Sequence, residues 1–272
     1  LFKGRLNVAL EGYHSLTSDL LLNLQTIQTT GYTSRLTNLG KTSNTGVELT
    51  LNGRIIEKKK FGWESQLTIS HNRQMVNDIG QEDYVASLMS PGNNSFMMYG
   101  YKKGYPLNSL WGFQYAGVWH NVDEFERNKF THSYISNTTT NNATSILGYP
   151  RYVDQNHDGI MSDADLIYLG NSDPILYGGF QNTVTIGNWS IGAYLTYSLG
   201  GKLYNYAELS MSGTYSANQY RYMLDSWHPV RNPESDIPRA GTEMRMSPSS
   251  FQVHDASYIR LKNVNITYRW DL

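Results

Sequence analysis

The chain contains no cysteine, which excludes a structural disulfide and any Cys-ligated metal site. No run of about 18 apolar residues occurs, so no transmembrane helix is available. Charge of one sign is also missing. The chain has 22 basic and 23 acidic residues, a formal net charge of −1. That balance provides no general field to steer nucleic acid or acidic ligands. The one compact basic run, Lys58-Lys59-Lys60, falls in a predicted turn and is too short for a nucleic-acid surface. No Walker loop, His-Glu-x-x-His, Gly-x-Ser-x-Gly or dinucleotide glycine fingerprint is present. Acidic clusters such as Asp123-Glu124-Glu126 read as solvated loop surface, and the seven histidines are scattered without ligand spacing. No residue is assigned a catalytic role, and the chain is not read as an enzyme. It starts at Leu1 without a basic–apolar–small leader, so it reads as a mature product or a segment of something longer.

Aromatic side chains are abundant: 21 Tyr, 6 Trp and 8 Phe, 13% of all residues. Such an excess suits strands, membrane interfaces and sugar- or peptide-binding surfaces. Period-2 alternation recurs and helical periodicity hardly appears. Leu6, Val8 and Leu10 alternate with Asn7 and Glu11. Val47, Leu49 and Leu51 alternate with Glu48, Thr50 and Asn52. Trp63, Leu67 and Ile69 stand against Glu64, Gln66 and Thr68. Trp111, Phe113 and Tyr115 stand against Gly112, Gln114 and Ala116. The pattern returns in Trp189 to Tyr197 and in Val264 to Trp270. The polar members include Glu, Arg, Asn and Gln. A barrel with lipid outside and water inside needs that pattern; a soluble sandwich also alternates. Mean hydropathy is only −0.48, and a chain that crosses a membrane without helices must do so as a closed barrel.

The connections sharpen the choice. Glu57 to Gly62 and Gly187-Asn188 are short. The segments from about Asn72 to Gly104, His120 to Gly178 and Gly200 to Asp255 are long and polar, and Ser136 to Asn142 is a low-complexity loop tip. Long structureless loops are uncommon in a compact soluble domain. Short turns on one rim and long loops on the other characterise outer-membrane barrels.

One motif points to a metal. Asp154, Asn156 and Asp158 occupy positions 1, 3 and 5 of a calcium-loop pattern. Gly159 stands at the sharp turn, Ile160 would offer its carbonyl, and Asp165 closes the loop. Aspartate in that last place reaches less far than glutamate, which predicts a weak or structural Ca2+ site. Asx-rich turns also form without metal. The flanks, Tyr149 to Val153 and Leu166 to Gly170, look β-like, so a regulatory helix–loop–helix hand is not expected.

Several stretches together resemble the SusC/RagA family of TonB-dependent outer-membrane transporters. Val153 to Ile160, Leu169-Gly170-Asn171-Ser172-Asp173-Pro174 and Tyr177-Gly178-Gly179-Phe180-Gln181-Asn182 resemble one signature of that family. Asn44 to Leu51, Leu110 to Trp119 and Asp255 to Tyr268 resemble three of its strands. The matches are in family order and span nearly the whole chain.

The resemblance implies an all-β fold: an antiparallel transmembrane β-barrel of about 22 strands with long extracellular loops. Residues 1–272 would supply roughly the last third of it, the C-terminal portion. It implies an upstream plug domain and TonB-contacting segment, neither of which this chain carries, and further strands toward a terminal aromatic. It implies a SusD-like lipoprotein lid, energy delivered through TonB, and oligosaccharides or oligopeptides as cargo. On that reading Trp111, Trp119, Trp227, Tyr215, Tyr220 and Tyr222 are candidates to stack on substrate. Their alternative role is loop packing or an interfacial girdle. A passive outer-membrane porin or adhesin, or a soluble glycan-binding β-protein, would carry much of the same pattern.

Overall fold

The computed structural model describes residues 2, 4–25, 34–80, 84–86, 100–122, 146–159, 161–211, 218–241 and 246–270. Ile160, Tyr215 and the tract 136–142 lie outside the described residues. No helix among the described residues is long and apolar enough to cross a membrane.

Six strands make one antiparallel sheet. They are β1 (Leu6–Gln25), β2 (Ser34–Lys58), β3 (Phe61–Asp78), β10 (Leu176–Ile186), β11 (Trp189–Leu199) and β14 (Tyr258–Tyr268), in the order β1-β2-β3-β10-β11-β14. The register aligns like with like. Val8, Leu51, Leu67, Phe180, Leu195 and Leu261 form one row across all six strands. One residue along, Asn7, Asn52, Gln66, Gln181, Tyr194 and Asn263 form the next. Successive side chains point to opposite faces, so one face is apolar and the other is lined with amides, hydroxyls and charges. On the apolar face the Asn182 Oδ1 accepts the Trp63 indole N–H at 3.0 Å.

Neither face is covered. On the apolar side Leu10 is 70% and Ile266 64% exposed. On the polar side a hollow lined by Arg5, Asn52, Arg54, Glu64, Gln66 and Gln181 is open. Two glycines of the polar face, Gly46 and Gly179, lie under neighbouring rings, Tyr13 and Tyr194. A Cβ at Gly46 would strike the Tyr13 ring, and the Tyr13 hydroxyl donates to Asn72 Oδ1 at 3.2 Å.

The two rims of the sheet differ. At one, β2–β3 and β10–β11 close over the short turns expected from sequence, Lys59-Lys60 and Gly187-Asn188. Gly187 takes φ +57° there, as a tight hairpin requires. The apolar face beside this rim carries aromatics in edge contact. Trp189 meets Tyr268 at 4.8 Å, and Tyr268 meets Trp270 at 4.9 Å. From the other rim leave two long excursions, residues 79–175 between β3 and β10 and residues 200–257 between β11 and β14.

The excursions hold the remaining short strands. The first contains β4 (Tyr84–Ala86), β5 (Gly100–Lys102), β6 (Ser109–Gly112), β7 (Tyr115–Val118), β8 (Pro150–Tyr152) and β9 (Ile167–Asn171). The second contains β12 (Lys202–Tyr204), a short helix α1 (Tyr206–Met211) and β13 (Val253–Asp255). Here the structure departs from the alternation read over Trp111 to Ala116. That stretch is no wall strand: it breaks into β6 and β7, which pair with β9 and β8 inside the excursion. Leu110, Trp111 and Phe113 are all buried, because protein covers both faces and alternation has no water to answer to.

Candidate functional site

The buried core lies in the excursions and not under the sheet. Leu110, Val118 and Trp119 are 0% exposed. The two excursions form one body because their backbones interlock. Phe113 N donates to Pro248 O at 3.0 Å, and Ser250 N returns a bond to Phe113 O at 2.9 Å. Arg239 N donates to Gly148 O at 3.0 Å. Buried peptide groups need partners of this kind; each excursion supplies the other's. Tyr152 works in the same way. Its hydroxyl accepts Ser247 N at 2.9 Å, and burial pushes the phenol well above its ordinary range, so it stays a neutral hydrogen-bonding group.

Three of the sequence candidates belong to this core. Trp111 is 3% exposed, edge-on to Tyr105 at 4.9 Å and Tyr168 at 5.9 Å, with Lys102 Nζ 5.3 Å over the ring. Trp119 lies under the Arg151 guanidinium at 5.7 Å. Trp227 is 7% exposed and packs on Gly148, where a Cβ would collide with its ring. In this chain protein covers these rings, which leaves no open face for a sugar.

Tyr220 and Tyr222 are placed differently. Both are half-buried, and their rings stack 5.6 Å apart at an interplanar angle of 15°. Tyr222 continues to Phe251 at 5.9 Å, and Phe251 to Tyr115 at 4.9 Å. A half-buried pair is thus anchored on the buried core. The polar hollow at the short-turn rim is remote from both tyrosines along the sheet.

The Asp-rich loop stands on its own hydrogen bonds. Asp154 accepts His157 N at 2.7 Å and Gly159 N at 2.9 Å. Partial burial opposes ionisation, but the amides of Gly159, His157 and Asp158 outweigh it and hold the carboxyl below its ordinary value. Asn156 Oδ1 accepts Asp158 N at 3.0 Å, and its Nδ2 donates to Asp158 Oδ2 at 2.8 Å. Asp165, 0% exposed, accepts Gln155 N at 2.9 Å and Ser162 N at 2.8 Å. No group of three or more His, Asp or Glu side chains among the described residues is gathered to hold a metal ion. The same side chains build an Asx turn, and Ile160, the carbonyl donor of the calcium-loop pattern, lies outside the described residues.

Sequence reading missed the residues that join the excursions: His120 with Asp236, and Phe113 with the segment Ser247–Gln252. These contacts lie more than a hundred residues apart, and no local pattern marks them. The positive φ of Gly148 (+78°) and Gly117 (+88°) was the nearest signal, since each seats a side chain of the other excursion.

No protein-family model matches the chain. Curated proteins do. TonB-dependent receptor P26 of Formosa agariphila is 31% identical over 278 residues, 98% of this chain and 26% of its own length. TonB-dependent receptor P3 of the same organism is 27% identical over 98% of this chain. TonB-dependent receptor SusC of Bacteroides thetaiotaomicron is 25% identical over 97% of it and 24% of its own length. The chain thus spans about a quarter of the length of these relatives. Among solved structures, the RagAB peptide transporter superposes with a TM-score of 0.73 at 22% identity, over 98% of this chain and 27% of that one. The RagAB peptide importer in its open-open state gives 0.72. The antiparallel sheet therefore matches a fragment of that barrel. Sequence and structure together make the chain homologous, over most of its length, to the TonB-dependent receptors of the SusC/RagA family, a family of non-catalytic outer-membrane transport proteins.

Proposed function

We propose that this chain is the C-terminal portion of the wall of a 22-stranded outer-membrane barrel that imports oligosaccharides or oligopeptides. The observation that carries the proposal is the inverted burial. The sheet leaves a continuous apolar face open, while the buried core sits in excursions at one rim. A soluble sandwich would cover that apolar face with protein; a barrel wall turns it to lipid and its polar face to the lumen. The edge-packed Trp189, Tyr268 and Trp270 then belong to an interfacial girdle, and the contrast of short turns with long excursions assigns the turns to the periplasmic side and the excursions to the outside of the cell.

In this reading a plug encoded elsewhere in the longer polypeptide fills the lumen and couples to TonB, and a SusD-like lipoprotein closes over the excursions. Tyr220 and Tyr222 are the aromatics positioned to meet cargo. The test uses the full-length transporter with its lipoprotein partner, measured against panels of oligosaccharides and oligopeptides. Replacing both tyrosines by alanine is expected to weaken binding of the active class about tenfold, with uptake abolished when TonB is deleted. Uptake that persists without TonB would overturn the active-import reading in favour of a passive pore.

Calcium binding by Asp154, Asn156, Asp158, Ile160 and Asp165 is a separate proposal that rests on the sequence pattern. It would require the Asn156–Asp158 side-chain contact to open. A calcium titration in which Asp154→Ala with Asp158→Ala binds as well as wild type excludes it.

A further inference from the structure

His120, just beyond β7 in the first excursion, touches the second excursion through both ring nitrogens. Nδ1 lies 2.9 Å from Pro233 O, and Nε2 lies 3.1 Å from Asp236 Oδ1. A carbonyl oxygen can only accept a hydrogen bond, and so can an ionised carboxylate. Both contacts are therefore hydrogen bonds at once only when both nitrogens carry a proton, which is the imidazolium. A neutral imidazole has one N–H and must give up one partner.

The contact sits where the two excursions cross, with the Asp236 side chain 72% exposed. The Asp236 carboxylate lies against Gly117, which has no side chain to exclude it. The Asp236 carbonyl accepts the Tyr115 hydroxyl at 2.5 Å, and Arg239 N holds Gly148 O three residues on. The charged groups facing His120 among the described residues are Asp236 and, less closely, Glu234, both acidic. The cation Arg151 donates twice to Ala116 O at 3.1 and 2.8 Å and lies over the Trp119 ring. Only partial burial opposes a positive charge on the ring.

We propose that His120 is a protonation-dependent clip between the two excursions, closed onto Pro233 and Asp236 as the imidazolium and half-released as the neutral ring. The electrostatics agree. Partial burial disfavours the charge, but the bonds to Asp236 and Pro233 outweigh it and raise the histidine above its ordinary value. A raised folded value fixes the sign: the clip is fully present below about pH 6.5 and is lost as pH rises through the folded value. Acidification tightens the loop body, and mild alkali loosens it.

Hydrogen exchange on the full-length transporter tests this, after correction for the intrinsic pH dependence of exchange. Peptides covering 115–122 and 233–239 are followed at pH 5.5 and 8.0. Wild type is expected to lose protection in both at the higher pH, on the order of threefold to tenfold for a partly exposed charged bond. His120→Gln keeps one donor nitrogen that does not titrate and should show the same protection at both. Asp236→Asn, with no carboxylate to hold the proton on the ring, should shift the transition toward lower pH, and it serves if the first variant fails to fold. Equal wild-type protection at the two pH values, or an unshifted wild-type response in both variants, would overturn the clip.

Discussion

At the scale of single residues, the loop body is defined by side chains that serve backbone. Asp154 is the clearest case, since its two oxygens take the amides of His157 and Gly159. Its folded value is depressed, so the stabilisation is present above the ordinary carboxylate range and disappears as pH falls through the folded value. Protection of those two amides should therefore collapse on acidification in wild type, and Asp154→Ala should lack it at all pH values; exchange measured at individual amides decides. Trp119 makes the opposite kind of contribution, by volume. Trp119→Ala opens a cavity at a fully buried site and should cost the loop body about 3–5 kcal/mol. Limited proteolysis would then cut within the excursions while the strand signal in circular dichroism persists. The motif 154–165 was legible in the sequence as an oxygen-rich turn because such turns are local. Burial of Trp111, Trp119 and Trp227 was not legible, because their cover is distant in sequence: Tyr168 and Arg151 of their own excursion for the first two, Gly148 of the other excursion for Trp227.

At the scale of elements, the wall strands were readable and the loop strands were not. Alternation in β2, β3 and β11 was correct because those strands present their two faces on opposite, uncovered sides of one sheet. The same alternation over Trp111 to Ala116 misled because those residues are enclosed on both sides. Face assignment predicts a sharp asymmetry between neighbours. Leu195→Arg, on the apolar row in β11, should destabilise the folded protein in bilayers by about 2–4 kcal/mol. Gln181→Lys, on the polar row in β10, should stay within about 0.5 kcal/mol. Chemical unfolding in lipid measures both, and equal costs would mean that the faces are assigned wrongly. Gly178 gives a third measurement. A side chain there would run into the Thr68 carbonyl, so Gly178→Val should unpair β10 from β3 and reduce the yield of folded protein.

At the scale of the whole molecule, the six-stranded sheet ends on two long strands, β1 and β14, each paired on one side only among the described residues. Strand edges of that length template further pairing. Expressed in water, the chain should associate through them and through its apolar face; in detergent it should still bury no more of that face against itself. Light scattering with and without detergent is the measurement. The antiparallel β class was legible because it follows from period and turn length. How the excursions meet was not, since it depends on pairings across most of the chain.

That pairing has a consequence for how the protein is made. β2–β3 and β10–β11 are hairpins closed by two-residue turns, and such units form quickly. The seam between β3 and β10 is different, for residues 79–175 intervene, and closing so large a loop carries an entropic cost that must be met before the new contacts reward it. The interlocked excursions hold the two sides of that seam at short range. They would act as an assembly jig: a lesion at Phe113 or Ser250, far from the bilayer, should delay insertion of the sheet before it alters anything that the finished protein carries.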